Sequence, residues 1–286
     1  MSIDTLSRLG ALLHLVDPTL PIGGFNHSGG LETFVQQRVV HDEATLHEYV
    51  AVQLAQNWVY NDGAYASLAF DAATQNDLPA LLALDEKIAA AKAPREIREA
   101  GFKLGVRLLK IFARHEQAEI LQNFQTALSQ QQAKGAFPLA FGLVAACMGL
   151  DKAQALYAFY YNAAVGAVTN GVKLIPLSQM AGQDILFELR APIAAAVAAS
   201  MQPDPEWIGA ATLAADKVVT GHYSIPETDQ GLNAYVASGV RCCHESTRAE
   251  DALAKMRLGQ YAQLRYGSAW LDLPNLAAAI TERSEE

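Results

Sequence analysis

Few side chains in this chain are able to do chemistry, and their spacing decides which chemistry. Four histidines fall early, at His14, His27, His41 and His47. None forms His-Glu-x-x-His and none accompanies a Cys-x-x-Cys, the spacings that aim several ligands at one zinc-sized ion. The set therefore predicts no tight metal site. Cys242-Cys243-His244 is a soft-ligand cluster in composition only, because adjacent side chains on a regular element diverge and no fourth ligand is near in sequence. The remaining cysteine is Cys147; an odd number with two adjacent argues against a disulfide framework and for a reducing, cytoplasmic compartment. There is no G-x-S-x-G, no P-loop, no dinucleotide fingerprint and no carboxylate pair of catalytic spacing, so the reading is a non-enzyme with no cofactor. Two charged features are left. Arg95, Glu96, Arg98 and Glu99 open a helix, with Arg95 and Glu99 as an i, i+4 pair, a solvated face on the plainest reading. Lys173 stands among apolar neighbours, either snorkelling or presented to an acidic partner.

The elements that position these groups are organised around Leu20 to Glu32, which puts four glycines and one proline into 13 residues. Proline fixes φ and glycine reaches φ > 0 without steric cost, so the segment is a specified backbone path. Gly24 and Gly30 are expected to need positive φ or bare backbone. The Asn26-His27-Ser28 centre adds polar groups that a simple interhelical turn does not require, which points to a contact surface.

Around it the chain reads as helices. Leu6, Leu9, Leu12, Leu13 and Val16 form one stripe, and Leu31 to Gln37 is a short helix. Asp42 is an N-cap for a helix through Leu46, Val50, Leu54 and Trp58. Asn61-Asp62-Gly63 is expected to break the chain. Asn76 to Pro79 starts another helix, and Pro94 a longer one to about His115 in which Gly101 and Gly105 predict close helix–helix approach. A helix follows at 116–132. Residues 139–149 are apolar nearly all round and should be central. Asp151 caps the next helix, Gly171 to Pro176 is expected to interrupt it, and 177–190 and 194–199 are helical again. The fold class is all-α, a single multi-helix bundle over 1–205, with an atypical segment at 206–286 in which Leu253 to Leu264 suits a helix.

Half of the 286 residues are hydrophobic, charged residues make up only 18%, and alanine is frequent; together these predict surfaces buried between two copies of the chain. The net charge of −9, without a basic cluster, argues against nucleic acid. No apolar run reaches the roughly 20 residues a membrane span needs, and no signal peptide is expected.

Pro21-Ile22-Gly23-Gly24-Phe25, followed by Ser28, Gly30, Leu31 and Glu32, resembles the signature of the urease accessory protein F family. Pro94 to Glu99, and Asn170 to Gln183 with its Lys173, Gln179, Gly182 and Gln183, are similar to two further blocks of that family and come in its order. His244-Glu245 is similar to a His-Glu pair near the family's C-terminus, whereas residues 246–286 depart from the family pattern. The resemblance implies a homodimer that binds the D-type (also called H-type) accessory protein, recruits a nickel-carrying, UreG-like GTPase and docks on apo-urease. It implies a scaffold and gate; the alternative is a GTPase activator acting in trans through Arg95, Arg98 or Lys173. Partner-binding positions implied are Pro21, Gly23, Gly24, Phe25, His27, Ser28, Gly30, Glu32, Arg95, Glu96, Arg98, Lys173, Gln179 and Gln183. His27 is the one histidine for which a transient nickel contact stands beside the turn role.

Overall fold

The computed structural model describes residues 3–23, 30–92 and 95–203, with three short strand backbones at 219–221, 240–243 and 261–262; the side chains of Arg95, Glu96 and the strands lie outside the described set. Among these residues the chain divides into two compact units, Met1–Ala91 with Glu96–Ile208, and Lys92–Arg95 with Gly209–Glu286.

The first unit is all-α. Its helices are α1 (Ile3–Leu15), α2 (Leu31–Gln36), α3 (Glu43–Val52), a π-helix (Gln53–Gly63), α4 (Ala64–Thr74), α5 (Leu78–Ala91), α6 (Arg95–Phe112), α7 (Glu119–Ser129), α8 (Phe137–Cys147), α9 (Lys152–Leu174), α10 (Gln179–Glu188) and α11 (Arg190–Ser200). The expected caps are in place. The Asp42 carboxylate accepts from Thr45 N–H at 2.9 Å and the Thr45 hydroxyl accepts from Asp42 N–H at 3.0 Å, a reciprocal capping box. Asp151 caps α9 by accepting from the Gln154 N–H at 2.9 Å, and Ser178, which the sequence reading did not single out, caps α10 by accepting from the Ala181 N–H at 3.0 Å.

Helix α8 is central: every residue from Pro138 to Ala145 is buried. It lies so close to α4 that a Cβ at Gly142 would stand 2.2 Å from the Ala66 carbonyl oxygen. The alanines of α4 make that approach possible, with Ala64, Ala66, Ala69, Ala72 and Ala73 all buried. This corrects one inference from composition: the alanines of α4 and the all-round apolar face of α8 are used inside a single chain, so they give no support to a dimer.

Two expected interruptions are also corrected. Asn61-Asp62-Gly63 does not break the chain; the π-helix runs through it into α4. Gly63 is needed there because Tyr160 crosses it, and a Cβ would stand 1.7 Å from the Tyr160 hydroxyl. That hydroxyl bonds Ser200 Oγ at 3.0 Å in a fully buried site, and burial pushes it up to about 12. Likewise α9 continues through Gly171 to Leu174, because Gly171 admits Leu46 of α3, whose Cδ1 would be 2.5 Å from a Cβ. Of the pair on α6, Gly105 does serve close approach, 2.1 Å from a hypothetical Cβ to the Gly135 carbonyl oxygen, whereas Gly101 faces open space.

In the second unit the described backbone is a parallel three-stranded sheet in the order β1 (Val219–Gly221), β2 (Val240–Cys243), β3 (Tyr261–Ala262). Parallel neighbours need crossover connections of a dozen or more residues, and the spacing here provides them. The strand at Tyr261–Ala262 replaces the helix expected there; the rest of that expected helix lies outside the described residues.

Candidate partner-docking site

The glycine-rich segment is entered through a tight, locally bonded path. Asp17 follows α1, and its carboxylate accepts from the Thr19 N–H at 2.7 Å and hydroxyl at 2.6 Å. The hydroxyl first and the amide second hold the Asp17 carboxyl below the usual carboxylate range. Leu20 is buried as an anchor, Pro21 is exposed, and the Ile22 N–H reaches back to the Leu20 carbonyl at 2.7 Å. Gly23 then takes φ +87°, and on the far side Gly30 takes φ +95° as the N-cap of α2. Both lie in the left-handed region that glycine alone enters freely. The expectation for Gly30 is met, and Gly23 shares the property. Gly24, Phe25, His27 and Ser28 lie outside the described residues.

Leu20 and Ile22 form the rim of an apolar cavity of about 250 Å³ walled by Trp58, Leu104, Phe141 and Phe159. Asn162 and Asn170 of α9 add polar atoms to its lining. The segment thus meets α6, α8, α9 and the π-helix at one place.

The other expected positions distribute as follows. Glu32 is exposed in the first turn of α2. Arg98 is half-buried on α6, and the side chains of Arg95 and Glu96 lie outside the described set. Lys173 is exposed in the last turn of α9, where its charge suits the helix dipole. Gln179 and Gln183 are exposed on α10, which follows directly. Between and beyond them stand Met180 and Phe187, 68% and 65% exposed, with the Arg190 guanidinium 3.6 Å from the Phe187 ring centre. Met180, Gln183 and Phe187 recur at i, i+3 and i+7, one face of the helix. Sequence reading missed this apolar strip because a Met and a Phe on an amphipathic helix read as core. A second exposed apolar face, Ile3, Leu6, Leu9 and Leu13, runs along α1.

Among the described residues no three His, Cys, Asp or Glu converge on one point. His47 pairs with Glu188 at 3.8 Å, His41 lies 3.5 Å from Asp42, and His14 rests against the Phe112 ring. Cys242 and Cys243 lie on β2, and His244 is outside the described residues. No described helix is long and apolar enough to cross a membrane.

The UreF family model matches residues 40–190. Urease accessory protein UreF of Actinobacillus pleuropneumoniae is 66% identical over 211 residues, covering 74% of this chain and 93% of that protein. This chain belongs to the UreF family. Urease accessory protein UreF of Haemophilus influenzae (strain PittEE) agrees, at 65% identity over 212 residues, 74% of this chain and 90% of that protein. These UreF relatives are named as accessory proteins. A different likeness covers a quarter of the chain: adenine deaminase of Clostridium botulinum (strain ATCC 19397 / Type A) is 75% identical over 71 residues, which is 12% of that protein. His244-Glu245 falls outside the span that the UreF model matches.

Proposed function

We propose that this chain is a scaffold and gate in urease maturation. With a D-type (H-type) accessory protein it recruits the nickel-carrying GTPase to apo-urease, and hydrolysis of GTP by that GTPase releases nickel toward the active site. The observation that carries the reading is the 65–66% identity to named UreF proteins along three quarters of the chain. The exposed rim at Pro21–Gly23, the Lys173 head and the α10 strip through Gln179 and Gln183 supply a contact surface for it. The same reading makes the chain a cytoplasmic homodimer without catalysis of its own. Size-exclusion chromatography with light scattering on the chain, the D-type protein and the GTPase tests it: a stable ternary species is expected, and separate elution refutes it. GTP turnover in the same mixture separates the scaffold from an activator. A rise on the order of 10³-fold, as an arginine finger gives, lost in Arg98→Ala or Lys173→Ala, would replace the scaffold reading.

We also propose that the UreF part ends near residue 205 and that residues 206–286 are a separate piece, whose described backbone is a parallel sheet. The stretch ahead of residue 40 is too short for the deaminase-like 71 residues, so outside the UreF match they fit only after residue 190. A parallel sheet suits that region, and a piece amounting to 12% of an enzyme supplies framework rather than deaminase activity. Truncation after Ile208 tests the division. The shortened chain is expected to stay folded and to capture the partner; loss of folding refutes it.

A further inference from the structure

We infer that Arg107 is the positioning residue of the Ile22–Gly23 backbone at the entry to the glycine-rich segment, an inference that rests on the docking role proposed above. Arg107 of α6 donates from Nη1 to the Ile22 carbonyl oxygen at 2.9 Å, across 85 residues of sequence. The next residue, Gly23, stands at φ +87°, and a Cβ there would come within 2.6 Å of the same Nη1. Guanidinium and glycine therefore define each other: the cation fills the space that a side chain at 23 would take. One turn earlier on α6, Leu104 lines the cavity whose rim Ile22 forms. A single helix thus bonds the Ile22 backbone and lines the cavity that the Ile22 side chain also lines.

The contact is solvent-exposed, so its loss is expected to cost the helical body little stability. Its effect is on the backbone at Ile22 and Gly23. A partner that meets a preset backbone loses less conformational entropy on binding than one that must order it. Arg107 lies farther along α6 than Arg95 and Arg98, the charged groups that resemble the family's block.

The test is capture of purified D-type accessory protein by the full chain, with thermal melts on the same variants. Arg107→Met keeps the aliphatic stem and removes the donors. It is expected to weaken capture about five- to tenfold, the size of one hydrogen bond's net contribution, with the melting temperature unchanged. Arg107→Lys restores a cationic donor and should recover most of the loss. Gly23→Ala should also weaken capture, and the Arg107→Met/Gly23→Ala double variant should be no worse than Gly23→Ala alone, since contacting groups are not additive. Ser28→Ala is the control. If it weakens capture while Arg107→Met matches wild type, the positioning role is overturned and the docking role stands. If neither changes capture, both fall. A melting temperature that drops in step with capture in Arg107→Met makes the contact merely structural and overturns the inference.

Discussion

Asp85 offers the sharpest test of how the helical body is held. It is 1% exposed on α5, yet its carboxylate accepts three consecutive backbone N–H groups: Lys134, Gly135 at 3.1 Å and Ala136 at 2.9 Å. These lead into the buried α8, whose N-cap, Ala136, has no side chain able to cap it. Asp85 does that work from 51 residues upstream, and its charge suits the positive end of the helix. In Asp85→Ala the Gly135 and Ala136 amides are buried donors without an acceptor, each costing about 1–3 kcal/mol, while water reaches Lys134 more easily. The sum is about 2–6 kcal/mol, a large part of a typical 5–15 kcal/mol stability. Asp85→Asn keeps one carbonyl oxygen for the buried pair but turns an NH₂ toward a donor, for about 1–2 kcal/mol. At about 2–4 °C per kcal/mol for a body of this size, the melting temperature should fall by about 4–24 °C in the alanine variant and by less in the asparagine variant. Urea titration should show a lower midpoint at unchanged slope. An alanine variant that melts within about 2 °C of wild type would refute the argument, as would an asparagine variant less stable than alanine.

Three further outcomes follow from single contacts. Gly63→Ala should destabilise by about 1–3 kcal/mol through overpacking against Tyr160, whereas Gly101→Ala, facing open space inside a helix, should stabilise by about 0.5–1 kcal/mol; denaturant melts giving the two the same sign would overturn the assignment. Burial first, and Glu116 second, push the Cys147 thiol up to about 11, so in a Cys242→Ser/Cys243→Ser background its alkylation should stay slow at neutral pH and accelerate only as pH nears that value. Rapid neutral labelling would contradict this. Thr45, by its amide and then its hydroxyl, holds the Asp42 carboxyl below the usual range; a depressed folded value means that the stabilisation is complete above the ordinary Asp range and lost as pH falls through the folded one. The stability gap between wild type and Asp42→Ala should therefore close in acid, and a gap constant with pH would count against the cap.

The parts of the fold legible in sequence were those written in local chemistry. Asp42 and Asp151 announce helix starts because a short polar side chain can reach its own N3 amide, and the unbroken apolar run of α8 announces its burial. The misread positions share one cause. Gly63 and Gly171 carry the symbol that usually means a turn, but each lies inside a helix because a distant side chain, Tyr160 or Leu46, occupies the place of its Cβ. Nothing within a few residues distinguishes that use of glycine from the left-handed one at Gly30. Arg107 was invisible for a related reason: its acceptor is a backbone carbonyl 85 residues away, and no motif marks an exposed arginine late in a helix.

The change of texture after residue 203 has a physical counterpart in how the helical body ends. Lys152, only 13% exposed, bonds the Asp71 carboxylate at 2.6 Å and the Met201 carbonyl at 2.8 Å. Tyr160 holds Ser200 from the other side, and Ser200 Oγ donates back to the Ala196 carbonyl at 2.8 Å. The last turn of α11 is therefore tied to α4 and α9 by buried and part-buried polar contacts. Periodicity in the first 203 residues predicts helices well, and the same reading has no purchase beyond them, where strands of two to four residues in a parallel sheet are too short to show a period of their own.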